Sequence, residues 1–105
     1  MMAEDVVPLA LTDSAAAEIV RRAAESAAVI LTNHAMEKMV LRNIDRAQVF
    51  DCLKRGRVKE PVHRDIGTGN WKLTLEHISA GQLVTVPVAI SYKQQGTFAV
   101  VITVY

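Results

Sequence analysis

Residues 32–56, TNHAMEKMVLRNIDRAQVFDCLKRG, contain the start and stop signals of two consecutive helices. Thr32 or Asn33 can cap the first helix, and Asn43, which tolerates a left-handed conformation, can end it. The second helix opens on a D-x-x-Q capping box that begins at Asp45, and it closes at the glycine that ends the stretch. The stretch therefore predicts a pair of helices joined by a short break.

The first of these two helices has two chemically different sides. Its apolar residues cluster on one side, which we expect to face a core: Ala35, Met36, Met39 and Val40. The opposite side carries His34, Lys38 and Arg42, each four residues from the next. This cationic side is either a working surface or the solvated side of an ordinary amphipathic helix.

An alanine-rich helix is predicted before this pair, over about residues 12–27, with Thr12 or Asp13 as its cap. The next four residues, AVIL, are too short to classify. After residue 56 the apolar period becomes that of a strand. RVKEPVHR is typical of a weak strand, and GTGN predicts a hairpin loop, since no helix follows it to bind a phosphate.

Alternating apolar residues then predict three further strands. Their inward-facing residues are Trp71, Leu73 and Leu75, then Val84, Val86, Val88 and Ile90, then Phe98, Val100, Ile102 and Val104. Pro87 indicates an edge or a bulged strand. The order of elements predicts an α+β fold, with two to three N-terminal helices packed on one face of a three- to four-stranded antiparallel sheet. The other face would carry Lys72, Thr103 and Tyr105.

The length of 105 residues predicts a single domain over residues 1–105. The lone Cys52 flanks the apolar stripe of its helix, so we expect a packed thiol and a reducing, cytoplasmic compartment. No secretory signal is expected, because the chain begins with acids and Pro8 interrupts its first apolar run. No stretch approaches a membrane span. The histidines and the cysteine lack metal-ligand spacing, so neither a metal nor another cofactor is predicted.

The net charge of +1 conceals a basic middle. Residues 34–72 hold nine Lys or Arg and five Asp or Glu, a net charge of +4. Such a segment can attract a polyanion, or it can be a solvated surface. Together with the sheet face, this basic segment supplies the types of side chain that RNA cleavage without a metal requires. Histidine can transfer protons near neutral pH, cations can stabilise phosphate, and tyrosine can stack on a base or hydrogen-bond the phosphate.

The chain resembles the bacterial family catalogued as domain of unknown function 4258, over roughly residues 28–105. The resemblance lies in a His-Ala pair that opens a helix, later apolar and arginine positions, and an Ile-Thr-Val run near the end. The matching positions are His34, Ala35, Met39, Arg42, Ile44, Val49, Leu53 and Ile102, Thr103 and Val104. That family resembles, at the level of fold, RelE-like and barnase-like ribonucleases, many of them toxins of toxin–antitoxin pairs.

The resemblance implies RNA as substrate and an antitoxin protein as partner, with His34 and Arg42 taken over by motif. The strand face adds Tyr105 to the predicted catalytic set. The predicted substrate-binding residues are Lys38, Lys72, Thr103 and Arg64. RelE-like toxins usually carry more Arg and Lys on their strands, whereas the last two strands here hold only Lys93. Two alternatives stay open: a non-catalytic module that binds protein or nucleic acid with the same surface, and a structural role for His34 at the start of its helix.

Overall fold

The computed structural model describes residues 10–105. The first nine residues, part of the stretch in which no secretory signal is predicted, lie outside the described residues. The elements in chain order are α1 (Asp13–Glu25), β1 (Val29–Leu31), α2 (Asn33–Arg42), α3 (Arg46–Arg55), β2 (Arg57–Arg64), β3 (Trp71–Ser79), β4 (Gln82–Lys93) and β5 (Gly96–Val101). In residues 10–105 no helix combines the length and the apolar character needed to cross a membrane.

All three predicted helices form, and their caps explain where they begin. The Thr12 hydroxyl accepts the Ala15 N–H at 3.1 Å, which starts α1. At α3 the predicted capping box is complete, because Asp45 Oδ1 accepts the Gln48 N–H at 2.8 Å and Gln48 Oε1 accepts the Asp45 N–H at 2.9 Å. Asn43 ends α2 in the left-handed conformation, with φ of 55°.

The five strands form one mixed sheet in the order β1-β5-β4-β3-β2. Strand β1 pairs with β5 in parallel, and the other neighbours are antiparallel. The predicted sheet of three to four antiparallel strands is therefore correct for β2 to β5 and lacks the parallel edge strand. Three residues are too few to show an alternation, so this pairing is set by tertiary contacts that the sequence pattern does not reveal.

Helices α1 and α3 pack on one face of the sheet, which we call the covered face. The predicted inward residues of β3 and β4 lie there and are buried: Trp71, Leu73, Leu75, Val84, Val86, Val88 and Ile90. We call the opposite side the open face. Lys72 and Thr74 on β3 pair with Ala89 and Pro87 on β4 and point to the open face.

The predicted orientation of β5 is wrong. Ala99 and Val101 are buried on the covered face at 1% and 0% exposure, whereas Phe98 and Val100 are only half-buried. A bulge after β5 restores the predicted orientation for Val104, which is fully buried. Val101 pairs with Val88 and Tyr105 pairs with Thr85, so three residues on one chain segment lie opposite two on β4.

Pro87 lies beside this bulge. Its carbonyl accepts the Ile102 N–H at 3.1 Å. Strand β4 is an interior strand in regular register with β3, so the predicted edge strand is wrong. The bulge lies opposite Pro87, in the segment after β5, and not in β4 itself. Since the N and the carbonyl of one residue point to the same side of an antiparallel strand, the missing N–H of proline faces the irregular segment.

Helix α2 packs less closely than the sequence predicts. Of its apolar side only Ala35 is buried and Met39 half-buried, while Met36 and Val40 are 45% and 81% exposed. The sheet ends at the three-residue edge strand β1, which directly precedes α2 in the chain. A groove of about 750 Å³ separates the apolar side of α2 from the β3–β4 turn.

Candidate functional site

A cleft of about 280 Å³ lies on the open face, between β2 and residues 102–105. Its charged and titratable lining comes from β2, β3 and the segment after β5: Lys59, Glu60, His63, Lys72 and Tyr105. Its hydroxyl lining consists of Thr74, Thr85 and Thr103. This is the place where the structure collects proton donors, proton acceptors and cations in one concave surface.

The two titratable groups of β2 have defined partners. The Thr74 hydroxyl donates to Glu60 Oε1 at 3.0 Å. His63 Nδ1 lies 3.3 Å from the Pro61 carbonyl oxygen, so a protonated Nδ1 can donate to it. Both side chains are exposed, and a ligand in the cleft can reach them.

Lys72 lines the cleft and forms an ion pair with a carboxylate at its side. Its Nζ lies 3.4 Å from Asp65 Oδ1. Asp65 also accepts the Thr68 hydroxyl at 2.7 Å and the Thr68 N–H at 3.0 Å. The bonds from Thr68, and to a smaller extent the charge of Lys72, lower the pKa of Asp65 below its usual value. Lys72 is therefore shared between this loop and any anion that enters the cleft.

The floor of the cleft contains an unusual hydroxyl. Thr74, Thr85 and Thr103 are all buried, at 6% exposure each. Among residues 10–105, Thr103 Oγ1 has no hydrogen-bond partner. Leaving a buried polar group unpaired costs about 1–3 kcal/mol. A ligand that hydrogen-bonds to the Thr103 hydroxyl would therefore gain part of this free energy.

Three of the residues predicted to form the site come together here. Lys72, Thr103 and Tyr105 all line the cleft, although Thr103 and Tyr105 reach it through the bulge and not through continuous alternation along β5. Tyr105 is 53% exposed, so its ring is available for stacking.

The predicted residues of α2 do not line the cleft. The start of α2 is attached to the cleft edge, because the Thr32 hydroxyl donates to the Ile102 carbonyl at 3.0 Å. His34 follows two residues later and is exposed. Arg42 lies about 12 Å further along the helix axis, where its carbonyl accepts Gln82 Nε2 at 3.0 Å. Lys38 lies between them, so the cationic side of α2 leads away from the cleft.

Arg64, the remaining predicted substrate-binding residue, lies on the other face. It pairs with Trp71, a covered-face residue, and its guanidinium carbon is 5.3 Å from the centroid of that ring. Its Nε donates to the Gly69 carbonyl at 3.1 Å. The structure therefore separates Arg64 from Lys72 and Thr103.

Sequence reasoning missed Lys59, Glu60 and His63 as site residues. They belong to RVKEPVHR, a weak strand pattern in which regular alternation would put Glu60 and His63 on opposite faces. Pro61 is the sequence feature that points to this part of the site, because a proline inside a strand indicates an irregularity that can redirect side chains.

Neither the histidines nor Cys52 form a metal centre in the described part of the chain, where no group of three or more potential ligands occurs. Cys52 is fully buried, and its Sγ lies 3.6 Å from the Val84 carbonyl oxygen. Burial, with a smaller contribution from the charges of Asp51 and Glu76, raises the pKa of this thiol from 9.0 to about 12. The predicted packed thiol is confirmed.

Comparison with known proteins yields one family. Residues 31–105 match the model of a family described as a domain of unknown function (DUF4258). The match begins three residues after the start expected from the sequence. No curated protein and no solved structure matches the chain.

Proposed function

The chain belongs to the DUF4258 family, and we propose that it is a small endoribonuclease that cleaves RNA without a metal ion in the open-face cleft. The observation that carries this proposal is the cleft itself. It combines two lysines, an imidazole, a carboxylate and an exposed tyrosine within about 280 Å³. Each of these groups has a role in phosphodiester cleavage.

The chemistry needs three things of the protein. Cations must bind the phosphate and stabilise the charge that develops on it, and Lys59 and Lys72 are placed for this. Proton acceptors and donors must serve the attacking and leaving oxygens. An aromatic side chain can hold an unpaired base by stacking, and Tyr105 provides one.

Helix α2 extends the proposed RNA path. Lys38 and Arg42 would bind phosphates outside the cleft, and the family motif offers His34, at the start of the same helix, as a candidate acid or base. The attachment of α2 to Ile102 supports this, because it brings the start of the helix to the rim of the cleft.

We also propose that the protein is the toxin of a toxin–antitoxin pair. An α+β fold with helices on one face and an open sheet face is consistent with a RelE-like ribonuclease. An antitoxin partner rests on that resemblance. Expression in a bacterial host should then arrest growth, and His34→Ala should relieve the arrest if His34 acts in catalysis.

The direct test is cleavage of single-stranded RNA by purified protein in the presence of EDTA. Lys59→Ala/Lys72→Ala should lose activity and bind RNA more weakly. The slope of log affinity against log salt should fall by about 1.4, because two phosphate contacts are lost. The matched control is Lys54→Ala/Lys93→Ala, which removes two exposed lysines that do not line the cleft.

Three results separate the possibilities. Cleavage that is lost in the cleft double variant and kept in the control supports the proposal. Salt-sensitive binding without cleavage identifies a binding module instead. A protein that neither cleaves RNA nor harms cells on expression, with or without His34→Ala, contradicts the proposal.

A further inference from the structure

Strand β2 pairs irregularly with β3, and the irregularity determines which side chains enter the cleft. Residues three apart on a regular strand point to opposite faces. Here Glu60 pairs with Thr74 and His63 pairs with Lys72, with a register shift between them. Thr74 and Lys72 are two residues apart and share the open face. The extra residue of β2 therefore brings Glu60 and His63 to the same face, and both line the cleft.

The separation of the two groups suits one phosphate between them. Their partners on β3 are two residues apart, which corresponds to about 7 Å along the strand. Lys72 lies directly opposite His63, and Lys59 directly precedes Glu60. A phosphodiester held by these lysines would have a carboxylate on one side and an imidazole on the other.

Each group is also held by a neighbour in a useful orientation. The Thr74 hydroxyl occupies Glu60 Oε1, which leaves Oε2 to accept a proton. With Nδ1 donating to the Pro61 carbonyl, His63 presents Nε2 for a second partner. The other charged or titratable groups at the cleft are Lys59, Lys72 with its partner Asp65, and the phenol of Tyr105.

We propose that Glu60 and His63 are the proton-transfer pair of the cleft, an inference that rests on the proposed ribonuclease function. The substrate is single-stranded RNA with a free ribose 2′-hydroxyl. Glu60 accepts the 2′-hydroxyl proton as O2′ forms its bond to phosphorus. The bond from phosphorus to O5′ breaks, and protonated His63 donates its Nε2 proton to O5′. The products are a 2′,3′-cyclic phosphate and a 5′-hydroxyl, and proton exchange with water restores both groups.

This assignment moves the proton chemistry from α2 to β2. His34 does not line the cleft, so it contributes to RNA binding along α2 and not to proton transfer. Strand β2 thus supplies both proton-transfer groups.

The test compares Glu60→Gln and His63→Gln with His77→Gln as the matched control, since His77 does not line the cleft. His34→Gln tests separately whether α2 supplies a proton-transfer group. We expect kcat for formation of the cyclic phosphate to fall by about 10²- to 10⁴-fold in the first two variants, with KM nearly unchanged. Binding of a 2′-deoxy strand of the same sequence should be kept. Because both side chains are exposed, thermal unfolding should be close to that of the wild type.

A second substrate distinguishes the two roles. A uridine 3′-phosphate ester of 4-nitrophenol has a leaving group that departs without a proton. His63→Gln should recover most of its lost rate on this ester, whereas Glu60→Gln should not.

The outcomes separate this inference from the function on which it rests. If the wild type cleaves RNA and the two β2 variants stay within threefold of it, the pair is wrong and the ribonuclease proposal stands. The same holds if His34→Gln alone abolishes cleavage. If the wild type cleaves no RNA, the ribonuclease proposal fails first, and the pair fails with it.

Discussion

The two faces of strands β3 and β4 differ although their residues alternate along the same backbone. On the covered face, Leu73 and Val86 are at most 1% exposed and pack into one continuous core. On the open face the neighbouring residues are Lys72, Thr74 and Thr85, which contribute charge and hydroxyls to the cleft. Burial of apolar area stabilises the fold almost entirely from one side. Residues on the other side are thereby available for binding and chemistry at little cost in stability.

The largest effect should follow from a cavity on the covered face. Leu73→Ala removes a side chain that is 1% exposed, and we expect the free energy of unfolding to fall by about 2–5 kcal/mol. Lys72→Ala, one residue away on the open face, should change it by less than about 0.5 kcal/mol. Urea denaturation measures both. If the two substitutions lowered the free energy of unfolding equally, the proposed difference between the two faces would be wrong.

A pH effect of intermediate size should come from Cys52 on the buried side of α3. Burial raises its pKa to about 12, so folding disfavours the thiolate. Its contribution to stability is complete below the ordinary pKa of 9.0 and is lost as pH rises toward 12. In that range the free energy of unfolding should fall by up to about 1.4 kcal/mol per pH unit.

The measurement for Cys52 is urea unfolding between pH 8 and 11, in the wild type and in Cys52→Ala. The variant removes this titration and keeps every other ionisable group. The difference between the two proteins should therefore shrink as pH rises. A difference that stays constant with pH would show that the thiolate is tolerated in the folded protein.

The smallest effects should come from two buried hydroxyls, one associated with each face. In the described part of the chain, neither Tyr92 nor Thr103 has a hydrogen-bond partner for its hydroxyl. Tyr92 packs against the core, and burial raises its pKa. Tyr92→Phe and Thr103→Val should each leave stability unchanged or raise it by up to about 1 kcal/mol.

Binding distinguishes these two substitutions. Thr103→Val should weaken binding of a short single-stranded RNA, because its hydroxyl belongs to the cleft floor, while Tyr92→Phe should not. Fluorescence anisotropy with a labelled strand measures this. If Thr103→Val lowers stability and leaves RNA binding intact, the hydroxyl has a structural role.

The sequence predicts those parts of the fold that local chemistry specifies. The α3 start follows from Asp45 and Gln48 alone, because a capping box closes on itself within four residues. The end at Gly56 is equally local. A Cβ at this position would lie 2.4 Å from the Cys52 carbonyl oxygen, so only glycine fits. The alternation of inward- and outward-facing residues in β3 and β4 is also predictable, because nine consecutive pairs keep a regular register.

Register irregularities explain most of what the sequence does not predict. One extra residue after Val101 reverses the orientation assigned to β5. Another between Glu60 and His63 places on one face two residues that regular alternation separates. A bulge depends on pairing between distant segments, so it has no local signature beyond a proline such as Pro61 or Pro87. Half of the candidate site lies at such positions.

The parallel pairing of β1 with β5 has a consequence for folding during synthesis. Val29–Leu31 can enter the sheet only after Ala99 and its neighbours have been made, some 70 residues later. The hydrogen bond that attaches the start of α2 to the cleft edge depends on the same segment, because the Thr32 hydroxyl donates to the Ile102 carbonyl. A ribosome-bound chain can form the β2–β3–β4 meander early, whereas α2 can join the cleft rim only after the segment that contains Ile102 has been made. A cleft built this way has no complete binding surface until residues 102–105 have been synthesised and have joined the sheet.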